Sequence, residues 1–125
     1  MKELFLIFVG GGLGSVVRYI LGRWLNAGHQ YAFPVGTFTV NVLACLILGL
    51  VIGMAEQKLQ ISPLTRLFWA VGFCGGFSTF STFSYENLLM LQTNQNSLLL
   101  GYILLSLVLC VSATFGGQLL ATRFF

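Results

Sequence analysis

Charged residues are missing from long segments of this chain, and those segments indicate its architecture. Residues 31–55, 67–85 and 98–122 contain no Asp, Glu, Lys or Arg, and residues 4–17 are also uncharged before Arg18 interrupts the run. A helix needs about 20 residues to cross the hydrocarbon core of a bilayer. The pattern therefore predicts four transmembrane helices, at about residues 4–25, 33–54, 66–90 and 98–121.

Composition places the chain in a membrane. Of its 125 residues, 57% are hydrophobic and only 7% are charged, and the mean hydropathy is +0.91. Soluble domains carry about 25% charged residues, so this chain could not cover a water-exposed surface. We predict an all-α integral membrane protein, a single four-span domain over residues 1–125 that is surrounded by lipid.

The few basic residues are only weakly biased between the two predicted sides of the membrane. Four spans put both termini and the loop between spans 2 and 3 on one side. That side holds Lys2, Lys58, Arg66 and Arg123, whereas the other holds Arg23 and Arg18. So weak a bias permits insertion in both orientations. The net charge of +3 is too small and too scattered to indicate nucleic-acid binding.

Cysteine usage and the other reactive residues argue against an enzyme. Cys45, Cys74 and Cys110 occur singly in three spans and form no C-x-x-C pair, so we expect packing residues and not a metal site. No nucleophile and base stand together in the sequence. Four helices also pack around their own side chains and leave no hydrated pore, so a transport function would require a homodimer or a larger assembly.

Glycine and proline mark helix contacts and helix starts. Pro34 begins span 2, and Ser62-Pro63 is typical of a helix start. The pairs Gly10/Gly14 and Gly49/Gly53 have the spacing that lets helix backbones approach closely. The pair Gly72/Gly76 differs, because Gly75 and then Ser78-Thr79 lie beside it. We expect the third helix to break there, which would free carbonyls that need a cation or another chain as a partner.

Residues 72–85 are the most informative stretch, since they place five Ser or Thr hydroxyls and four Phe rings in an uncharged run. Hydroxyls in hydrocarbon are costly unless they find partners. At 100° per residue, Phe80, Phe83 and Ser84 share one side, with Ser81 and Thr82 beside them. Ring edges are electropositive and hydroxyls donate hydrogen bonds, so the cluster suits an anion. The alternative is that the rings face lipid or core and the hydroxyls bond to carbonyls one turn earlier.

Polar residues at helical spacing occur in two further spans. Thr37 and Asn41 are four residues apart in span 2, and Tyr102 and Ser106 are four apart in span 4. Asn41 is the only amide well inside a predicted span. It is either a functional group or an interhelical hydrogen-bond partner.

Three motifs resemble those of the Fluc/CrcB fluoride channels of bacteria and other microbes. They are residues 11–19 (GGLGSVVRY), 36–41 (GTFTVN) and 72–83 (GFCGGFSTFSTF). The resemblance implies an antiparallel, dual-topology homodimer with two fluoride pathways and a break in the third helix. It also implies a structural sodium ion held by the backbone carbonyls of Gly75 and Ser78 of each subunit. Ser78 departs from the usual threonine, a change that a carbonyl ligand should tolerate.

The same resemblance assigns roles along the fluoride pathway. Phe80 and Phe83 correspond to the family's paired phenylalanines, Asn41 to its span-2 asparagine, and Arg18 to its span-1 arginine, expected at a vestibule or interface. The remaining candidates, which form a hydroxyl track, are Ser81, Thr82, Thr37, Tyr102 and Ser106.

The resulting expectation is a passive fluoride channel of the cell inner membrane that exports cytoplasmic fluoride and so relieves its toxicity. One rival is a coupled transporter of the small multidrug type. It should carry an embedded carboxylate in span 1, where Glu3 is too close to the terminus. The other rival is a non-transporting membrane assembly protein, which would bury these hydroxyls to no purpose.

Overall fold

The computed structural model describes residues 1–27, 32–57 and 61–125, and every regular element in these ranges is helical. Lys58, which contributes to the predicted charge bias, lies outside the described residues. The elements are α1 (Lys2–Asn26), α2 (Val35–Glu56), α3 (Pro63–Arg66), a π-helix (Leu67–Phe73), α4 (Cys74–Phe77), α5 (Phe80–Gln92) and α6 (Asn96–Phe124).

Within the described ranges, three helices are long and apolar enough to cross a membrane: α1, α2 and α6. Their outer faces carry exposed large hydrophobic side chains, including Phe8 on α1 and Val108 on α6. An apolar surface of this extent is typical of a protein that contacts lipid or another chain. The fold is therefore all-helical, as predicted, and agrees with an integral membrane protein.

The third predicted span corresponds to several shorter helical pieces, which together we call the third region. It begins at Ser62, whose Oγ accepts a hydrogen bond from the N–H of Thr65 at 3.1 Å, with Pro63 in the first turn. This start confirms the sequence prediction for Ser62-Pro63. Helix then runs through α3, the π-helix and α4 to Phe77, and α5 begins at Phe80. The π-helix has no signal that we recognised in the sequence.

Glycines form both of the main helix contacts. A Cβ atom at Gly10 would lie 3.2 Å from Gly72 Cα, and one at Gly14 would lie 2.8 Å from Phe77 N, so α1 packs directly on the backbone of the third region. Gly49 lies in the same way against the Thr114 carbonyl of α6. The close approach predicted for the pairs Gly10/Gly14 and Gly49/Gly53 is confirmed.

Helices α2 and α6 run parallel to each other. Gly49 of α2 contacts Thr114 of α6, and Gly53, one turn later, contacts Gln118, also one turn later. Because the contact moves four residues towards the C-terminus on both helices at once, the two helices must run in the same direction. Residues on α2 therefore lie opposite residues of α6 at a fixed offset in sequence, and this register positions the side chains described below.

We expect Gly49→Ala to destabilise the protein by about 1–3 kcal/mol, because the added methyl group would overlap the Thr114 carbonyl. The measurement is thermal or denaturant unfolding of the purified protein in detergent. Gly116→Ala in α6 is the matched control, since a Cβ there meets nothing within 4 Å. Equal stability of the two variants would contradict the close contact.

Candidate functional site

Ser78 and Thr79 adopt an extended backbone conformation between α4 and α5. We call these two residues the interruption. Their ψ angles are 157° and 115°, so the helical hydrogen-bond pattern stops at Phe77 and resumes at Phe80. An interrupted helix leaves N–H and C=O groups without their usual partners, and such groups are costly in apolar surroundings. The neighbouring side chains show how this cost is offset.

Asn41 of α2 supplies partners for the backbone of Thr79. Its Nδ2 donates to the Thr79 carbonyl at 3.1 Å, and its Oδ1 accepts from the Thr79 N–H at 2.8 Å. The single amide thus replaces both bonds that a continuous helix would have given Thr79. Of the two interpretations left open for Asn41, the interhelical hydrogen bond is present, although an amide nitrogen keeps a second N–H.

The end of α4 is held from α1. Arg18 Nε donates to the Gly76 carbonyl at 3.0 Å, and Ser15 Oγ donates to the same oxygen at 3.4 Å. A cation at the C-terminal end of a helix also interacts favourably with the helix dipole. Arg18 is half-buried in this position, so its guanidinium is fixed to the interruption by a backbone contact that the sequence did not reveal.

Local hydroxyls complete the interruption. Ser78 Oγ donates to the Cys74 carbonyl one turn earlier, at 2.8 Å, as the alternative interpretation of the hydroxyls proposed. Thr79 Oγ1 caps α5 by accepting from the Thr82 N–H at 3.2 Å and lies 3.0 Å from Thr82 Oγ1. Ser81 Oγ lies 3.4 Å from Thr79 Oγ1 and is exposed.

The backbone carbonyls of Gly75 and Ser78 are among those that lose their helical donors in this arrangement. In a continuous helix the Gly75 carbonyl would accept from the Thr79 N–H, and the Ser78 carbonyl from the Thr82 N–H. Those two N–H groups bond instead to Asn41 Oδ1 and Thr79 Oγ1. Gly75 is exposed, and it lines a cavity of about 180 Å³ together with Ser78.

A groove of about 250 Å³ opens beside the interruption and is lined mainly by apolar atoms. It brings together four of the predicted pathway residues: Asn41, Phe80, Phe83 and Ser106. Ser106 Oγ is buried and has no hydrogen-bond partner within the described part of the chain. A buried hydroxyl without a partner is costly, so its position in a groove favours a ligand-binding role.

Aromatic rings form one wall of this groove. Phe80 and Phe83 lie with ring centroids 5.5 Å apart, and Phe83 lies 4.9 Å from the ring of Tyr102. Tyr102 is completely buried, whereas Phe80 is 78% exposed. The Phe80 ring therefore projects away from the rest of its own chain, at the edge of the groove, where a ligand or another molecule can contact it.

A carboxylate that we did not include among the site residues links three helices. Glu86 accepts from Thr37 Oγ1 at 3.0 Å and from the Tyr102 hydroxyl at 3.1 Å, and so joins α2, α5 and α6. Glu86 lies near the end of the predicted third span, at about residues 66–90, and was assigned no role from the sequence. Its position in an apolar segment could have identified it, because a carboxylate there indicates a functional role by default. Its two donors, Thr37 and Tyr102, are both among the predicted pathway residues.

Three further predicted residues lie on the other side of Thr79. A second cavity of about 160 Å³, which we call the Arg18 cavity, is lined by Arg18, Thr37 and Thr82 among others. Thr79 lines this cavity and the groove. The structure thus divides the candidates into a groove set and an Arg18 set, with Tyr102 buried beside them and Ser81 lining neither cavity.

The amino-acid sequence is similar to a known protein family and to named members of it. Residues 5–118 match the family described as CrcB-like protein, Camphor Resistance (CrcB). Among similar proteins, the fluoride-specific ion channel FluC of Gloeothece citriformis is 46% identical, and the match covers 98% of this chain and 99% of that protein. The channels of the same name from Flavobacterium psychrophilum and Leptospira interrogans are 44% and 41% identical, and each match covers at least 97% of both chains.

We expect Asn41→Ala to lower the free energy of unfolding by about 1–3 kcal/mol, because the N–H and C=O of Thr79 lose their partners. Unfolding of the purified protein in detergent measures this. Ser81→Ala is the control, since its hydroxyl is exposed and makes one long contact. If both variants were as stable as the wild type, Asn41 would not support the interruption.

Proposed function

This chain belongs to the family of CrcB-like proteins, and from that premise we propose that it is a fluoride-specific ion channel. The observation that carries the proposal is the similarity to proteins of that name over almost the entire length of both chains, at 46% and 44% identity for two of them. Similarity of this extent includes every residue of the groove and of the Arg18 cavity.

The chemistry of the groove supports a small anion. Fluoride holds its water tightly, so several donors must offset its dehydration. Within the residues that the structure describes, Ser106 has a hydroxyl without a partner. The Asn41 amide has a second N–H, and Phe80 and Phe83 can present electropositive ring edges. The lining residues that the structure describes are all uncharged. This favours conduction, which requires binding weak enough for the ion to leave.

The Arg18 cavity suits the role of a vestibule. Its cationic side chain and the hydroxyls of Thr37 and Thr82 would attract an anion from the aqueous phase. Thr79 separates this cavity from the groove. We propose that fluoride passes this point by exchanging hydrogen-bond partners among the neighbouring hydroxyls, including those of Thr37 and Tyr102 that now bond to Glu86.

We further propose that two copies assemble antiparallel, so that each groove becomes a closed pathway. In a single chain the groove is open on one side and Phe80 is 78% exposed, which is unfavourable for an ion that must avoid lipid. A second copy would supply the missing wall. The weak charge bias between the two ends supports insertion in both orientations.

The released carbonyls of Gly75 and Ser78 fit a structural sodium ion between the two copies. Both oxygens lose the N–H that would occupy them in a helix, and hard cations prefer such oxygen ligands. Sodium would compensate the carbonyl dipoles at the interface. It would hold the interruption in place without driving transport.

In a cell the channel would act in the inner membrane. Hydrogen fluoride enters by diffusion and dissociates in the cytoplasm, and a passive pathway lets the accumulated anion leave. The proposed benefit is relief from fluoride toxicity.

We expect Phe80→Ile and Asn41→Asp each to slow fluoride efflux from liposomes by about tenfold or more, equivalent to at least about 1.4 kcal/mol in the barrier. The first change removes a ring from the groove, and the second adds a negative charge to it. A fluoride electrode records the efflux. Phe5→Ile on α1 is the matched control, since Phe5 is also exposed but is not among the groove residues. Normal efflux from both site variants would refute the assignment of the groove.

A passive channel predicts that fluoride follows its own electrochemical gradient without counterflow of protons. The rival coupled transporter predicts proton flux with fluoride, and it needs a carboxylate deep in the first span, where α1 has only Glu3 in its first turn. Simultaneous recording of fluoride and pH in the same liposomes distinguishes the two. A non-transporting assembly protein predicts no flux of either ion.

A further inference from the structure

Cys45 and Cys110 are brought together by the contact between α2 and α6. Because these helices are parallel, the residues that face each other advance together. At one level Gly49 packs on Thr114. The residues one turn earlier on the two helices are Cys45 and Cys110.

The relative position of α2 and α6 is also held on the N-terminal side of the two cysteines. Two turns before Cys45 and Cys110 come Thr37 and Tyr102, which both bond to Glu86. The two cysteines therefore lie between a backbone contact on one side and a shared carboxylate on the other, and their register cannot slip without breaking both.

Both thiols face the same space. Cys45 and Cys110 line the 250 Å³ groove together, one turn before the level at which Gly49 packs on Thr114. Cys74, the third cysteine, is buried and lines the 180 Å³ cavity near Gly75, which Cys45 also lines, but Cys74 is not among the residues of the groove. The groove thus contains a pair of thiols one turn beyond Asn41 and Ser106.

We propose that Cys45 and Cys110 form an inhibitory site for a soft cation that binds two thiolates in a linear arrangement, the class that includes Hg²⁺ and Ag⁺. Thiolates are the ligands that soft metals prefer. The described part of the chain holds no group of three or more His, Cys, Asp or Glu side chains placed to share a metal, so an ion that needs four such ligands, such as zinc, does not fit.

The binding step is a substitution without any change of oxidation state. For Hg²⁺, the two S–H bonds break, both protons pass to water, and two mercury–sulfur bonds form. The bound metal would fill the groove beside Phe83 and Ser106. Its inhibitory effect rests on the proposed function of the groove as a fluoride pathway, whereas binding itself does not.

The test uses the purified full chain in liposomes, free of chloride and reducing agents, with mercuric nitrate as the probe. One aliquot is washed with an excess of a monothiol and analysed by intact mass under denaturing conditions. The other is assayed for fluoride efflux. Cys45→Ser, Cys110→Ser and Cys74→Ser are compared with the wild type, and Cys74→Ser is the matched control.

We expect the wild type and Cys74→Ser to retain one mercury per chain with the loss of two protons, and to lose most of their fluoride efflux. Cys45→Ser and Cys110→Ser should release mercury to the monothiol and recover their efflux. Retention by either of these two variants, loss of retention in Cys74→Ser, or mercury-linked pairs of chains would overturn the site.

The two proposals fail in different ways. If the metal-free wild type releases no fluoride, the channel function is wrong, while the mass measurement still decides whether the thiol pair binds mercury. If mercury is retained but efflux is unchanged, the site exists without being inhibitory, and the proposed inhibition is wrong.

Discussion

The structure depends on one constraint: two residues of extended backbone lie within an apolar helical protein, and their polar groups need partners. Asn41 provides both partners of Thr79, and Arg18 occupies the carbonyl of Gly76. Since each of these side chains comes from a different helix, the interruption is held from two directions. The groove and the Arg18 cavity are the spaces left on either side of it.

Glycine contacts bring these partners within reach. Gly10 and Gly14 let α1 lie directly on the third region. This contact places Ser15, the next residue, and Arg18, one turn after Gly14, at the end of α4. Gly49 sets the register of α2 against α6 in the same way. Small residues therefore determine where the polar residues meet.

The sequence predicted those parts of the fold that depend on local pattern. Long apolar runs gave the three long helices, Ser62-Pro63 gave a helix start, and glycine spacing gave the close contacts. Contacts between distant residues could not be predicted in this way. Glu86 bonds to a hydroxyl 49 residues away, and no periodicity reveals such a pair.

The partner of Arg18 could not be predicted for a different reason. It is a backbone oxygen, and a carbonyl has no identity in the sequence. The candidate pathway residues came from helical spacing and from the family resemblance, whereas their division between groove and Arg18 cavity came from the structure. Ser106 illustrates the difference. Helical spacing placed it on a polar row, but only the fold shows that its hydroxyl is buried and has no partner among the described residues.

The most direct test of the account compares fluoride with chloride in liposomes that contain the purified wild-type chain. An uncharged groove with donors placed for a small ion should release fluoride rapidly and retain chloride. Equal release of the two halides, or release of neither, would contradict the claim that this interruption forms a fluoride pathway.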